Sequence, residues 1–356
     1  MNDTDSAPTI RLSICIGTFN RARFIGGLLE SILEQATGEC EIVVSDNAST
    51  DDTERVVAGF AQRYSRLRYF KQTSNVGLDR NFDRAVSIAS GEYCWLMADD
   101  DILKSNAIAH VLERAHKNPS LMIVNYECTN LDMSEVTLAR RLDIDADRVY
   151  SPDEIDRLFV DTADHLIYIG CIVMRRSVWL SRDRTPYYDS LLMHFAVIFQ
   201  ARLPGDTLFV AVPLVAHRDG NPRAFWCDMF EVWMFRWPEL IWSLAPSDSA
   251  KRKVTVRQPW KSPWRLLGLR ASGLYSMTEY RQWILPCASS RLERLTPRLI
   301  AMTPGVLTNT SLIIYYSLTR SRFKKVSLLF LRDSPFYLRR YWPFGRKTQP
   351  LQSIAP

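Results

Sequence analysis

Residues 93–103, YCWLMADDDIL, combine an apolar run with three consecutive carboxylates. The first six residues are typical of a strand buried on both faces, and Asp99, Asp100 and Asp101 follow where that strand should end. Adjacent like charges repel one another, and no basic residue within the stretch offsets them. A cation or a cationic partner at the end of the strand would compensate such a cluster.

The segments around this stretch alternate between strand and helix. Apolar runs at 12–17 (LSICIG), 40–46 (CEIVVSD), 67–72 (LRYFKQ) and 120–127 (SLMIVNYE) predict four further strands, separated by stretches of helical periodicity. Because the strands are apolar on both faces, the pattern predicts an α/β fold with a mostly parallel sheet flanked by helices.

Polar residues follow four of the predicted strands, at the edge of the sheet where ligands bind in such folds. They are Thr18, Asn20 and Arg21 after the first strand, Asp46 after the second, Asn75 and Gly77 after the third, and the Asp triplet after the fourth. The convergence of four loops on one edge indicates a ligand site more strongly than any single motif does.

The Asp triplet itself indicates a metal site. Alternate residues of an extended chain point to the same side, so Asp99 and Asp101 could share a cation. Mg²⁺ or Mn²⁺ typically takes one or two carboxylates and completes its coordination with water and substrate phosphates, as expected for a nucleotide diphosphate. The alternative is a solvated turn whose aspartates cap a helix that begins near Lys104 or Ser105.

The charge of the 356-residue chain is unevenly distributed. Residues 1–250 hold 25 Lys and Arg against 36 Asp and Glu, whereas residues 251–356 hold 20 against 3. Eight of the ten Trp lie at or after position 226. Basic residues beside aromatic ones favour binding to an anionic membrane surface. The alternative is a helical appendage with a basic, solvated face, and no nucleic-acid recognition module is present, so no nucleic-acid partner is expected.

The cysteines and the N-terminal residues indicate the cellular compartment in which the protein is expected. The seven cysteines are scattered, with no CxxC pair and no Cys/His cluster, which predicts free thiols in a reducing cytoplasm. The polar start, MNDTDSAPTIR, does not resemble a signal peptide, and no run reaches the ~18 apolar residues of a spanning helix. We expect a cytoplasmic protein, peripheral on the inner face of the cell membrane.

Four stretches together resemble glycosyltransferase family 2, whose nucleotide-sugar-binding fold is called GT-A. They are LSICIGTFNR, EIVVSDNASTDDT, NVGLDRNFDRAVSIASGEYCWLMADDDIL and, more loosely, VPLVAHRDGN, in family order over roughly residues 10–220. The chain is most similar to bacterial O-antigen members of the family, such as the abequosyltransferase-like enzymes. The resemblance implies transfer of a sugar from a nucleotide-diphospho-sugar to a saccharide or polyprenyl-linked acceptor.

The resemblance also implies roles for individual residues. Residues expected to line the nucleotide-sugar pocket are Thr18, Asn20, Arg21, Asp46, Asn47, Ser49, Asn75 and Gly77. Asp99 and Asp101 would hold Mg²⁺ or Mn²⁺ as a Lewis acid for the departing diphosphate, and Asp100 would point either to the sugar or to the metal's outer shell. His217 or Arg218 could reach the diphosphate, although a surface turn is an equally open interpretation there.

An inverting family member needs a general base that takes a proton from the acceptor hydroxyl. In the family this residue often belongs to a Glu-Asp pair. The nearest match is Asp189 in YYDSLLMHF, where the Glu is missing. His194 is the competing candidate because imidazole titrates near neutral pH. The alternatives are an Asp that caps a helix and a His that packs within it.

The sequence predicts a flexible N-terminus at 1–9, a GT-A domain at 10–222 and a basic, Trp-rich, mainly helical region at 223–356. Within the domain, 10–128 would bind the nucleotide and 129–222 the acceptor. Two other functions stay open: a non-catalytic module that binds membrane or an assembly partner, and a sugar-phosphate nucleotidyltransferase. The second should carry a Gly-rich loop after the first strand, which GTFNRARFIGG lacks.

Overall fold

The computed structural model describes residues 9–219, 229–319 and 324–338. The predicted flexible N-terminus, apart from Thr9, therefore lies outside the described residues. Three further segments are also outside them: 220–228, around the predicted start of the C-terminal region, and 320–323 and 339–356 within it. The chain forms two compact units, one of residues 1–221 with 243–254 and the other of residues 222–242 with 255–356.

The first unit contains a ten-stranded sheet. Its strands are β1 (Leu12–Thr18), β2 (Cys40–Asp46), β3 (Leu67–Lys71), β4 (Tyr93–Ala98), β5 (Ile102–Leu103), β6 (Leu121–Thr129), β7 (Val136–Leu138), β8 (Arg148–Tyr150), β9 (Ile172–Arg175) and β10 (Thr207–Arg218).

Helices belong to both units. They are α1 (Ala22–Leu33), α2 (Thr53–Ala61), α3 (Leu78–Ile88), α4 (Ala107–Ala115), α5 (Ile155–Thr162), α6 (Arg176–Ser181), α7 (Met193–Phe199), α8 (Met229–Glu231), α9 (Trp237–Ser243), α10 (Asp248–Val254), α11 (Pro263–Ser272), α12 (Met277–Glu279), α13 (Arg291–Met302), α14 (Gly305–Leu318) and α15 (Lys324–Asp333). Five-residue π-helical segments, Val232–Arg236 and Tyr280–Ile284, follow α8 and α12.

The strand order is β3-β2-β1-β4-β9-β6-β10-β5, with β7 paired to β6 and β8 paired to β10. Strands β1, β2, β3 and β4 are parallel, in a register that places Thr18 beside Asp46. Every residue of β2 is buried, as expected for a strand covered by helices on both faces. The ends of β1, β2 and β4 therefore meet at one edge of the sheet.

The sheet is mixed, so the prediction of a mostly parallel sheet holds only for part of it. Strand β9 runs antiparallel to both neighbours, β4 and β6, whereas β6 and β10 are again parallel. The segment 166–176 had the composition of a longer strand. It instead forms a helical turn at Ile169–Cys171 and a four-residue strand. The predicted α/β architecture is otherwise confirmed.

Residues 243–254 pack with the first unit, a return of the chain that the sequence did not predict. The backbone N–H of Ser247 donates to Asp156 Oδ1 of α5 over 2.7 Å, and that of Ala245 donates to the carbonyl of Phe199 over 3.0 Å.

The second unit is helical in its described part, as predicted for the C-terminal region. Its core includes Phe230 stacked on Tyr275, with ring centroids 5.0 Å apart, and the buried side chains of Trp260, Ile284 and Ile300. No single described helix is both long and apolar enough to cross a membrane. Helices α13 and α14, bent by 90° at their junction, meet that length and composition only as a pair.

Candidate active site

The loop after β1 is tied to the loop after β2 by reciprocal hydrogen bonds. The backbone N–H of Asn20 donates to Ser49 Oγ over 2.8 Å, and Asn20 Oδ1 accepts from the N–H of Thr50 over 2.8 Å. Asn20 has φ 52°, a conformation that Asn tolerates better than most residues. Thr18 is 2% exposed, and its hydroxyl has no hydrogen-bond partner among the described residues. A buried, unpartnered hydroxyl beside this loop is suited to a ligand.

Asp46 ends β2 with its carboxylate fully buried. Its Oδ1 accepts from the N–H of Ser49 over 2.8 Å, and its Oδ2 accepts from the hydroxyl of Tyr69 over 2.5 Å. Burial, together with the hydrogen bond to Asp46, raises the pKa of Tyr69 well above its usual value, so the phenol remains a donor. These contacts fix the orientation of Asp46 at the sheet edge.

Asn47 and Asn75 connect the ends of β2 and β3. Asn47 Nδ2 donates to Asn75 Oδ1 over 2.7 Å, and Asn47 Oδ1 accepts from the N–H of Val76 over 2.8 Å. Gly77 follows with φ 88°, which a residue with a Cβ adopts only with strain. The structure therefore brings the predicted nucleotide-pocket residues on β1, β2 and the β3–α3 loop together.

The carboxylates of the Asp triplet lie inside the protein. Asp99, Asp100 and Asp101 are 7%, 3% and 0% exposed, so the interpretation as a solvated turn is wrong. The next helix, α4, has Asn106 as its N-cap and begins at Ala107, later than the capping alternative required. Buried carboxylates need compensating partners.

Asp101 is compensated by three donors of the protein itself. Its Oδ1 accepts from His217 Nδ1 over 3.0 Å and from the N–H of Arg218 over 2.9 Å, and its Oδ2 accepts from the Tyr168 hydroxyl. Burial favours the neutral acid, but the charge of His217 and these three hydrogen bonds bring the pKa of Asp101 below its usual value. The end of β10 is thereby attached to the triplet.

Asp99 and Asp100 have different partners. Arg21 Nε lies 3.5 Å from Asp99 Oδ1, and Arg218 Nε donates to the backbone carbonyl of Asp100 over 2.8 Å. The guanidinium groups of Arg21 and Arg218 lie 6.0 and 5.3 Å from the centre of the Phe24 ring. Arg218 also lines a cleft of about 390 Å³ with Phe24. The two arginines are therefore placed beside the triplet, where they can face an anion.

Asp189 lies beside the start of α3. A Cβ added to Gly77 would come within 3.4 Å of Asp189 Oδ1, and Arg80 Nη1 donates to the same oxygen over 2.6 Å. The Asp189 side chain is 65% exposed. Helix α7 begins four residues later with Leu192 as its N-cap, so Asp189 does not cap it. Asp189 is thus a solvent-accessible carboxylate next to the predicted nucleotide-pocket wall.

His194 lies apart from this group, within the buried helix α7. It is 3% exposed, and its Nε2 lies 3.0 Å from the carbonyl of Leu166. Burial lowers the pKa of His194 to about 4, despite hydrogen bonds to the Leu166 and Ile167 carbonyls that act in the opposite direction. The structure places His194 as a packing residue, the alternative that its sequence context left open.

Several residues of the site were not predicted from sequence. Tyr69 orients Asp46, Tyr168 holds Asp101, and Phe24 lies among the arginines. His217 was predicted from sequence, near the diphosphate, and the structure shows its hydrogen bond to Asp101. Tyr168 falls in the apolar stretch LIYIGC. The one signal in the sequence was that a buried Tyr hydroxyl usually needs a hydrogen-bond partner. Its partner is 67 positions away in the chain, and only the folded sheet identifies it.

The donor set fits a divalent cation in part. The described residues hold no group of three or more His, Cys, Asp or Glu arranged around one metal position. Mg²⁺ and Mn²⁺ need only one or two protein carboxylates when substrate phosphates supply the other ligands. Asp99 fits such a role at the sheet edge. Asp101 does not fit, because its oxygens already accept from three protein donors.

A model of the family described as glycosyl transferase family 2 matches residues 13–184, which include the loops after β1, β2 and β3 and the Asp triplet. Residues 13–184 therefore form a glycosyltransferase family 2 domain. The sheet with its flanking helices, together with the helical C-terminal region, is the GT-A fold that the sequence predicted. The protein is a glycosyltransferase. The match to a glycosyltransferase family favours this activity over the two alternatives, a nucleotidyltransferase and a non-catalytic module.

Two curated relatives and one solved structure illustrate the similarity. The transferase is 28% identical over 223 residues to abequosyltransferase RfbV of Salmonella typhimurium, a match that covers 59% of this chain and 67% of that enzyme. It is 34% identical over 108 residues to a GalNAc(5)-diNAcBac-PP-undecaprenol beta-1,3-glucosyltransferase of Campylobacter jejuni, covering 30% and 35% of the two chains.

The solved structure is the mannosyltransferase PcManGT of Pyrobaculum calidifontis in complex with GDP-Man and Mn²⁺. It superimposes with a TM-score of 0.53 at 15% identity, covering 94% of this chain and 88% of that one. At this identity the likeness establishes the fold alone. The match with the glucosyltransferase spans only about a third of that enzyme's length.

Proposed function

We propose that this transferase moves a sugar, with inversion, from a nucleotide-diphospho-sugar to a saccharide or lipid-linked acceptor in bacterial surface polysaccharide synthesis, such as O-antigen. The observation that carries the proposal is the meeting of Thr18, Asp46 and Asp99 at the ends of three adjacent parallel strands. The named activities of the relatives, an abequosyltransferase and a PP-undecaprenol-directed glucosyltransferase, support both the polysaccharide setting and the lipid-linked acceptor.

The donor is proposed to bind with its nucleoside over β1, β2 and β3. Asp46 would accept from the base or ribose, and the Asn47–Asn75 pair would both accept and donate. Thr18 Oγ1 would gain the partner that it lacks among the described residues. Arg21 and Arg218 would face the diphosphate. We assign residues 10–128 to this donor half and residues 129–222 to the acceptor half.

Mg²⁺ or Mn²⁺ is the cofactor we propose, held by Asp99 with Asp100 beside it rather than by Asp101. Such an ion would supply Lewis-acid stabilisation of the departing diphosphate. The Mn²⁺ bound by the mannosyltransferase of the same fold supports this choice. Asp101 instead holds the His217–Arg218 end of β10 against the triplet.

Asp189 is the general base in this proposal. It is the accessible carboxylate beside Gly77, with Arg80 donating to its Oδ1, and it would accept a proton from the acceptor hydroxyl. His194 is not retained in this role because a buried imidazole bonded to a backbone carbonyl cannot reach an acceptor.

The proposal is tested by titrating the full chain with UDP, GDP, CDP and dTDP, each with and without Mn²⁺. We expect one nucleotide to bind in a Mn²⁺-dependent way and Asp46→Asn to weaken that binding at least about tenfold, the scale of one lost charge-assisted hydrogen bond. Asp145→Asn, at a carboxylate far more exposed, is the control. Absence of binding by every nucleotide would refute the donor class.

A lipid-linked acceptor requires that the transferase reach a membrane. We propose peripheral attachment to the anionic inner face of the cell membrane through residues 223–356. The 20 Lys and Arg against 3 Asp and Glu at 251–356 support this location.

A further inference from the structure

Helices α13 and α14 both expose large apolar side chains. Eight large apolar residues on them are each between 47% and 82% exposed. They are Leu292, Leu295, Leu299 and Met302 on α13, and Leu307, Ile314, Tyr315 and Leu318 on α14. We call these eight residues the apolar face.

The spacing shows that the exposure on α13 is ordered along one side of the helix. Leu292, Leu295, Leu299 and Met302 follow one another by three, four and three positions, which places them on one stripe. The opposite side packs inward through Pro297, Ile300 and Ala301. A contiguous apolar stripe on a surface helix marks an interaction site rather than scattered exposure.

Helix α14 reverses the usual arrangement of polar and apolar residues. Its 14 residues include no charged side chain. Asn309 is fully buried, and its Nδ2 donates to the carbonyls of Ala271 and Leu331 over 3.0 and 2.8 Å. Thr308 and Asn309 are thus buried beside Leu312. The outward positions hold Leu307, Ile314, Tyr315 and Leu318, with Ser311 and Ser317 as their polar neighbours and no charge among them. Large apolar side chains outside and an amide inside favour an apolar environment on the outside.

The charges beside the apolar face are basic. Arg291, Arg294 and Arg298 are exposed, and each directly precedes a leucine of the face. A helix turns by about 100° per residue, so the arginines form a second stripe adjoining the apolar one. Glu293 of α13 is paired with Lys261 over 2.5 Å, whereas neither Arg291 nor Arg298 forms an ion pair within the described residues.

From this arrangement we infer that the apolar face is inserted into the headgroup region of an anionic lipid bilayer, with the arginine stripe on the lipid phosphates. The inference rests on the proposed function, whose lipid-linked acceptor it would bring within reach. Two helices that meet at 90° can both lie in the plane of an interface. A second copy of the chain is less suitable, because it would bring two arginine stripes together.

The test is co-sedimentation of the full chain with vesicles of phosphatidylcholine and phosphatidylglycerol in equal parts. Leu295→Gln with Leu299→Gln keeps helix propensity and should weaken vesicle binding at least about tenfold. Arg291→Gln with Arg298→Gln should weaken binding by about thirtyfold, since two charges near the surface at roughly 1 kcal/mol each contribute about 2 kcal/mol. Val149→Gln, at an equally exposed apolar residue of β8, is the matched control and should bind as the unchanged chain does.

Wild-type chain that stays in the supernatant would overturn the inference, as would a leucine double variant that binds as well as the control. A dimer that the leucine variant dissociates, without any change in vesicle binding, would assign the face to a second copy instead. Nucleoside diphosphate binding, measured on the same samples, should be equal in all variants. Its absence throughout would refute the donor proposal and leave the vesicle result standing.

Discussion

Asp101 is fully buried, and both of its carboxylate oxygens accept hydrogen bonds from the protein. The donors are Tyr168, His217 and the N–H of Arg218, which come from two other parts of the chain. Removing a carboxylate oxygen of Asp101 would leave buried donors without an acceptor, which lowers the stability of the folded state. The residue therefore contributes mainly to stability and to the position of β10, whereas Asp99 is proposed to act on the ligand.

This difference predicts opposite phenotypes for two conservative substitutions. Asp101→Asn places an amide N–H₂ against donors and should lower the free energy of unfolding by about 2–4 kcal/mol. Asp99→Asn, which leaves those three donors in place, should lower stability less than Asp101→Asn does and abolish the effect of Mn²⁺ on nucleotide binding. Urea unfolding and nucleotide titration measure the two effects. A stable Asp101→Asn variant that has lost nucleotide binding would contradict the division of roles.

At the scale of elements, helix α3 anchors the segment that carries Asp189. Asp79 accepts from the backbone N–H groups of Leu191 and Met193 over 2.9 and 3.4 Å, and Arg80 pairs with Asp189. Asp189 and Leu191 both have positive φ, a strained conformation for these residues. The contacts from α3 are what hold the segment in this conformation, next to the pocket wall formed by Gly77.

The same contact predicts a pH dependence of stability. Burial, only partly offset by the hydrogen bonds from Leu191 and Met193, raises the pKa of Asp79 from 3.8 to about 6. The folded state then holds a proton that the unfolded state has released, so stability falls as pH rises from about 4 to about 6 and is level above that. The loss approaches about 3 kcal/mol, since one pKa unit is about 1.4 kcal/mol.

Asp79→Asn removes this titration. The difference in unfolding free energy between the unchanged chain and the variant should therefore shrink, or change sign, between about pH 4 and about pH 7 in urea titrations. A difference that is the same at both pH values would show that Asp79 is not protonated in the folded state.

For the whole molecule, the uneven charge predicts salt-sensitive membrane binding. Residues 251–356 carry 20 basic residues against 3 acidic ones, while the rest of the chain has an acidic excess. Salt screens exposed charges, so binding to phosphatidylglycerol vesicles should fall at least about tenfold between roughly 0.05 and 0.5 M NaCl. Vesicles of phosphatidylcholine alone are the control. Binding to anionic vesicles that is the same at both salt concentrations would mean that the basic residues do not contribute to membrane binding.

The sequence by itself determined the strands β1, β2, β3, β4 and β6, the polar sheet edge and the resemblance to the family. The strands β1, β2 and β4 were predictable because short, continuous apolar runs between helical segments are typical of strands buried on both faces. Thr18, Asp46 and Asp99 were predictable because the ends of parallel strands meet at one edge. The antiparallel β9 was not, since a four-residue apolar strand carries no signal of its direction.

Only the tertiary structure decided how the carboxylates and histidines divide their roles. Asp99 and Asp101 are equivalent in the sequence ADDD, but three donors distant in the chain reach Asp101 and none of these reaches Asp99. His194 was a plausible base until its burial among the residues of α7 was known. Sequence patterns report which residues are near a strand end, whereas partners contributed by distant segments fix each side chain's solvation, and solvation decides whether a charge serves the fold or the ligand.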